Sequence, residues 1–461
     1  MHWRLLLASA FHALFGTIAY SHNTILNPLE SSIRHFINQS MYERFETVLS
    51  PQESAWLWSA TTASLQIGAT IGSLTVGFLA ERIGRRGVSM VVCNLIFICG
   101  CTLQFLAKPA NSLELLIVGR MMTGLSQSLS CLTPVYLMEC SPDRWRSVVG
   151  MGISVGFPLW NALGTVIGMF QLMGSQDNWP VALLLPAFLA SLHLVLFPLF
   201  PDSPKYLYIT KGNLKKAAQA IKYYRGKEVS FEQVEEEYWS EISKLSSQRC
   251  NSLSWSNILS IRYLRTPLLL CMVANLSNRM GGIDIGTQYS TGIFRLHTGA
   301  FSLAGYSWHA ITKKLGRRPH FLTMLLFGLV AVFSLFLSGL LVVGSAGPIC
   351  ALAGLMISQS SFYMGGSSIA KFLPAEVCPQ IIRSTVVAAQ NFVSNVTAIF
   401  ILFLYPPVKQ AVGTWALKIM PETQSRTLKE IMENWIDSDE FAENKPLLGN
   451  RLSSFDAVDS M

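Results

Sequence analysis

Two charged motifs occur twice in this chain. Glu139, Pro142 and Arg146 in YLMECSPDRWRS return as Glu376, Pro379 and Arg383 in AEVCPQIIRS. ERIGRR, with Glu81, Arg82, Arg85 and Arg86, returns as KKLGRR, with Arg317 and Arg318. Matching Gly84 to Gly316 and Glu139 to Glu376 gives offsets of about 232 and about 237 residues. Two motifs in one order at nearly one offset imply a duplicated chain. Carboxylates facing guanidinium groups form charge-assisted pairs that can close and open, a clasp chemistry that makes no covalent bonds. No Ser or His has a base and an orienting group at workable spacing, so an enzyme is not expected.

The elements that carry these motifs are apolar. Of 461 residues, 51% are hydrophobic and only 13% charged, and the charges are bunched between long uncharged runs. This composition defines an all-α polytopic membrane protein, with the lipid bilayer as its surroundings. The net charge of +8 falls mostly in short segments between apolar runs and in one central loop. The positive-inside rule accounts for it there, and no basic patch interleaved with aromatics points to nucleic acid. Most of the nine Cys, including Cys93, Cys99, Cys101, Cys131, Cys271 and Cys350, sit in apolar runs as small hydrophobes. Neither a CxxC nor a metal-ligand cluster is present in the sequence, so no metal and no cofactor are expected.

Four regions follow in order: an N-terminal bundle over 1–200, a helical cytoplasmic linker over 201–265, a second bundle over 266–420 and a polar tail over 421–461. Spans are expected at Leu5 to Tyr20, Ala55 to Ala80, Gly87 to Leu106, Leu113 to Met138, Ser147 to Met173 and Val181 to Phe200. Each is near the ~20 residues a bilayer requires. Ser21 to Ser54 reads as a long polar outer loop containing Asn38-Gln39-Ser40, a glycosylation sequon facing outward. The sequons at Asn275 and Asn395 lie inside apolar runs, away from the glycosylation machinery. With the N-terminus inside, the segments carrying Arg82, Arg85, Arg86, Arg144 and Arg146 fall on the cytoplasmic side. Further spans are expected at Thr266 to Phe294, Phe321 to Val343, Pro348 to Leu373 and Ser384 to Tyr405. Between Phe294 and Gly316 an eighth span is expected to be truncated, and Pro406 to Met420 holds no twelfth, so the second bundle reads as incomplete.

The motifs in order resemble those of sugar porters of the major facilitator superfamily, most of all the facilitative glucose transporters of animals. The resemblance rests on GFLAERIGRR, GRMMTG, PVYLMECSPDRWRS, PDSPKYL, GGIDIGTQYSTGIF, the second GRR, AEVCPQIIR and PETQSRTLKEI. It implies a fold of two six-helix bundles and a cytoplasmic salt-bridge network of Glu81, Arg82, Arg85, Arg86, Arg120, Glu139, Arg146, Arg317, Arg318, Glu376 and Arg383. Lys313 stands where the family pattern has Glu, which weakens one half of that network.

The resemblance also implies a midplane cavity, lined at the matching positions by Ser154, Asn278, Arg279, Asp284, Gln288, Tyr289, Lys371, Ser394 and Asn395. Few of the amides that hold sugar hydroxyls in the family stand at these positions. Arg279 and Lys371 either neutralise Asp284 or leave a cationic cavity suited to an organic anion. The implied function is facilitated transport of a hexose or related small polar solute; a non-transporting receptor, sensor or regulatory isoform is the alternative. The first acidic residue, Glu30, lies beyond the first span and Asn23 occupies the region where proton-linked relatives carry a carboxylate, which favours uniport. His22 reads as a helix-end histidine at the water interface. The plasma membrane is the expected location, and an acidic dileucine pattern at Glu443, Leu447 and Leu448 offers an endolysosomal one. Nothing in the sequence bears on oligomeric state.

Overall fold

The computed structural model describes residues 3–169, 172–226, 262–280 and 380–412, together with Leu326, Val330, Phe333, Ile357 and Leu373. These belong to one compact unit, Met1–Lys418; a second unit, Ile419–Met461, lies outside the described residues. All the regular structure described is helical. In chain order the helices are α1 (Trp3–Phe15), α2 (Glu30–Phe45), α3 (Pro51–Arg82), α4 (Cys93–Leu106), α5 (Leu113–Leu129), α6 (Leu132–Cys140) and α7 (Asp143–Ile167). They continue with α8 (Trp179–Val195), α9 (Leu214–Arg225), α10 (Arg262–Met280) and α11 (Gln380–Val412). Among the described residues six segments are long and apolar enough to cross a membrane: Trp3–Asn23, Gln52–Arg82, Gly87–Leu106, Leu113–Cys140, Trp179–Leu199 and Thr385–Leu404. The truncated eighth and missing twelfth spans expected from sequence lie outside the described residues.

Two spans are discontinuous. The first is α-helical to Phe15 and resumes as a tighter 3-10 segment, Ile18–Asn23, after Gly16. The fourth breaks between α5 and α6 at Ser130 and Cys131. Elsewhere helices pack unusually close. A methyl on Gly124 of α5 would sit 1.9 Å from the Leu65 carbonyl of α3, and one on Gly68 of α3 1.8 Å from that of Met121. Only glycine permits that approach. Gly77, further along α3, faces open space.

The expected outer loop is a correction. Residues 30–45 form helix α2, which lays Ile33, Phe36 and Ile37 against Trp58, Leu113, Leu116 and Trp179. Their spacing of three and four residues is the helical one, and each such burial contributes roughly 1.5–3 kcal/mol. A capping box then starts α3: Ser50 Oγ accepts from the Glu53 N–H at 3.3 Å while Glu53 accepts from Ser50 N–H at 2.8 Å. Asn38 is exposed on α2, and Ser40 Oγ donates to the Asn111 carbonyl at 2.9 Å.

Polar groups inside the first bundle are bonded in a chain. Asn94 Nδ2 donates to the Met90 carbonyl at 2.6 Å and faces His193 Nδ1 at 2.8 Å, and His193 Nε2 lies 3.2 Å from His12 Nδ1. With the Asn94 amide as donor, His193 carries its proton on Nε2 and donates it to His12.

Candidate functional site: a charged end layer and a polar contact between the halves

The charged motifs of the first half meet at one end of the bundle. Arg85 Nε lies 3.5 Å from Glu139 Oε1, and both side chains are buried. Ser203 Oγ donates to the other carboxylate oxygen, Glu139 Oε2, at 2.6 Å. Arg85 also lies over the Tyr206 ring, whose hydroxyl reaches the carbonyls of Glu81 and Arg82 at 3.3 and 3.4 Å. The segment Pro201 to Tyr206 is thus the floor on which GRR and Glu139 rest.

Arg86 turns away from the carboxylate: its guanidinium donates to the Phe200 carbonyl and lies over the Phe197 ring. Gly84 makes this turn at φ +91°, where a methyl would come within 2.8 Å of both Asp202 Oδ2 and Tyr206 Cε1. Burial pushes the Asp202 carboxyl above its usual 3.8, partly offset by the Ser203 N–H, which donates to it at 2.8 Å, and by the Arg86 charge. Helix α9 closes the layer from below. Its buried Tyr224 shares the Pro201 carbonyl with Tyr136, at 2.9 and 2.7 Å, the two hydroxyls being 2.5 Å apart.

The structure divides the expected network. Arg85 and Glu139 pair, whereas Glu81 and Arg82 are exposed, with Arg82 over the Phe78 ring, and neither makes an ion pair among the described residues. Arg120 does not belong to this layer. It lies roughly 19 residues before Glu139 in the same span, about 28 Å of helix away, fully buried, with Nε donating to the Thr61 carbonyl at 3.0 Å. His22 is likewise not at a water interface: it is fully buried, 3.5 Å from Cys101 Sγ and edge-on to Phe97. Arg317, Arg318 and Glu376 lie outside the described residues, as do the side chains of Arg146 and Arg383.

A second group of polar residues brings the two halves together. Helix α11 packs along α3 and α10. Arg279, at the end of α10, donates from Nε to Ser394 Oγ of α11 at 2.7 Å. From the first half Tyr20 lies within electrostatic range of Arg279, with its hydroxyl against Ser130 and its ring edge-on to Phe157 at 4.4 Å. Both broken spans therefore place residues at this point, the arrangement from which transporters build solute sites. Asn395 is buried beside Ser394, and Gln390, one turn earlier, is buried with Oε1 unpartnered among the described residues. Asp284, Gln288, Tyr289 and Lys371 lie outside the described residues, as do the side chains of Ser154 and Asn278.

Sequence reasoning left out Ser203, Tyr206, Tyr20 and Gln390. The first two stood within PDSPKYL, read only as a signature. Tyr20 and Gln390 carried no local signal, because only folding sets them beside their partners.

Solved structures share this architecture. The proton:xylose symporter XylE bound to 6-bromo-6-deoxy-D-glucose superposes with a TM-score of 0.72 at 18% identity, covering 94% of this chain and 98% of that one. A partially occluded inward-open XylE from E. coli gives a TM-score of 0.69 at 18% identity, covering 92% and 98%. The fold is that of the major facilitator superfamily, and its apolar helices make the protein a multi-pass membrane protein. The family described as "Sugar (and other) transporter" matches residues 10–435, and the chain belongs to it. Its relatives include mouse solute carrier family 2, facilitated glucose transporter member 3, 27% identical across 91% of this chain and 90% of that protein. The chicken member 1 is 31% identical across 63% and 59%.

Proposed function

We propose that the protein carries a hexose or related small polar solute down its gradient by alternating access, at the plasma membrane. The observation that carries this reading is the Arg279–Ser394 bond on a second-half helix that packs along α3 of the first half, with the Tyr20–Phe157 pair of the first half within electrostatic range of Arg279. A solute held there touches both halves, so rocking them exposes it to either side in turn. The names of the relatives, facilitated glucose transporters, point to the same solute class. The Arg85–Glu139–Ser203 cluster supplies a breakable contact at the cytoplasmic end. The first span carries no carboxylate, and Glu30 opens the separate helix α2, which favours uniport. Asn38 is the glycan acceptor, and residues 201–265 link the two bundles.

Counterflow of labelled glucose in proteoliposomes tests the reading: accumulation that is saturable and indifferent to a proton gradient supports it. An inward proton current accompanying the sugar would overturn uniport, and absence of counterflow for every hexose tried would favour the receptor or sensor alternative.

One observation favours a second solute class. A guanidinium at the cavity, Arg279, is held in place by Ser394, which with Lys371 suits an organic anion. Uptake of a urate-like anion that is lost in Lys371→Ala supports this; hexose uptake indifferent to that substitution, with no anion uptake, ends it.

A further inference from the structure

Arg120 is the most isolated charge among the described residues. It sits on α5 about 10 Å inside the span that begins at Leu113, and its side chain is fully buried. Only Nε is bonded, to the Thr61 carbonyl of α3 at 3.0 Å. Nη1 and Nη2 are buried without any hydrogen-bond partner, and no Asp or Glu forms an ion pair with it among the described residues. A guanidinium keeps its charge under all physiological conditions, so it cannot escape by losing a proton. A buried charge persists when it is paired. Among the described residues no carboxylate pairs with it; His22 of the 3-10 segment is within electrostatic range, and Thr123, one turn along α5, lies 3.4 Å from Gln104.

We propose that the Nη edge of Arg120 is a binding site for a small monovalent anion, either a free inorganic ion or the anionic group of a solute. The guanidinium offers two parallel N–H donors on that edge, the geometry that grips a carboxylate in two places or a halide in a fork. In the conformation described the edge is sealed from solvent. Anion entry is therefore coupled to movement of the element packed against it, and the adjustable element is the 3-10 segment Ile18–Asn23 after the break at Gly16. The inference stands apart from which solute the central cavity carries.

The test uses the purified full chain in lipid nanodiscs, with thermal unfolding read at a fixed ionic strength of about 150 mM. Sodium isethionate, a poorly bound anion, is replaced stepwise by sodium chloride in one arm and by sodium acetate in the other. A saturable rise in Tm of about 2–5 °C supports the site. A rise with chloride identifies a free inorganic ion, and a rise with acetate alone identifies the carboxylate of a solute. Arg120→Gln abolishes the rise and Arg120→Lys keeps part of it. Arg120→Met raises Tm in isethionate, because an unpaired buried charge has been removed. Equal wild-type Tm in all three salts, or a rise that persists in Arg120→Met, overturns the proposal; the wild-type comparison decides the matter even where a variant does not fold.

Discussion

Arg279 donates from Nε to Ser394 Oγ at 2.7 Å and thereby joins the end of α10 to the middle of α11. The bond holds the Arg279 guanidinium against α11. Substituting Ser394→Ala removes that constraint and is expected to weaken solute binding about ten- to hundredfold, the range of one hydrogen bond to a charged group. Arg279→Gln supplies a neutral donor and acceptor, so hexose counterflow is expected to be retained or strengthened while uptake of any anion falls by at least about tenfold. Transport kinetics for both solute classes measure the split; hexose transport abolished by Arg279→Gln would contradict it.

Glu139 accepts from Ser203 and faces Arg85 in a buried setting. Removing one charge leaves the other unpaired, so Glu139→Gln is expected to destabilise the protein by about 3–5 kcal/mol. Ser203→Ala lacks only the hydroxyl and should cost about 1.5–3 kcal/mol. Denaturation of both variants and of Arg85→Met/Glu139→Leu gives the coupling, and the double variant is expected to recover most of the loss.

Gly84 turns the chain at φ +91° with Asp202 and Tyr206 packed over it. Gly84→Ala meets both a disfavoured backbone conformation and a clash, and about 2–4 kcal/mol of stability is expected to be lost. Gly77→Ala, in the open, serves as the matched control and should change stability little.

The Asp202 carboxyl titrates above its usual 3.8, chiefly through burial. A raised value in the folded state means that folding favours the protonated form. Its contribution is fully present below the unfolded value and is lost as pH rises through the raised one. The end layer is thus expected to loosen with rising pH across that window, and Asp202→Asn should flatten the dependence. Thermal stability of the wild type and Asp202→Asn from about pH 4 to 7 measures it; parallel curves would contradict the assignment.

Much of the fold was legible from hydropathy, because a bilayer demands apolar helices of a set length and every span expected in the first half corresponds to a helix. The errors have physical causes. Helix α2 is short and amphipathic, and its polar face hid Ile33, Phe36 and Ile37 within a stretch that reads as a loop. Arg120 was grouped with the end layer on the strength of a motif, although motifs carry no depth along a span. His22 lies beside Asn23 at the end of an apolar run, where sequence shows a boundary but not the helices that fold over it.

By itself the sequence determined the membrane class and the sugar-porter motifs, since these follow from composition and spacing. It paired Arg85 with Glu139 in one cluster, but did not show that Ser203 and Tyr206 would complete it. The tertiary structure decided which charges share a layer, where the first and fourth spans break, and that Arg279 would bond Ser394 within electrostatic range of Tyr20. Those relations arise between helices far apart in the chain. Close approach of α3 and α5 at Gly68 and Gly124 is one such relation, and no local pattern of residues contains the packing that brings the helices together.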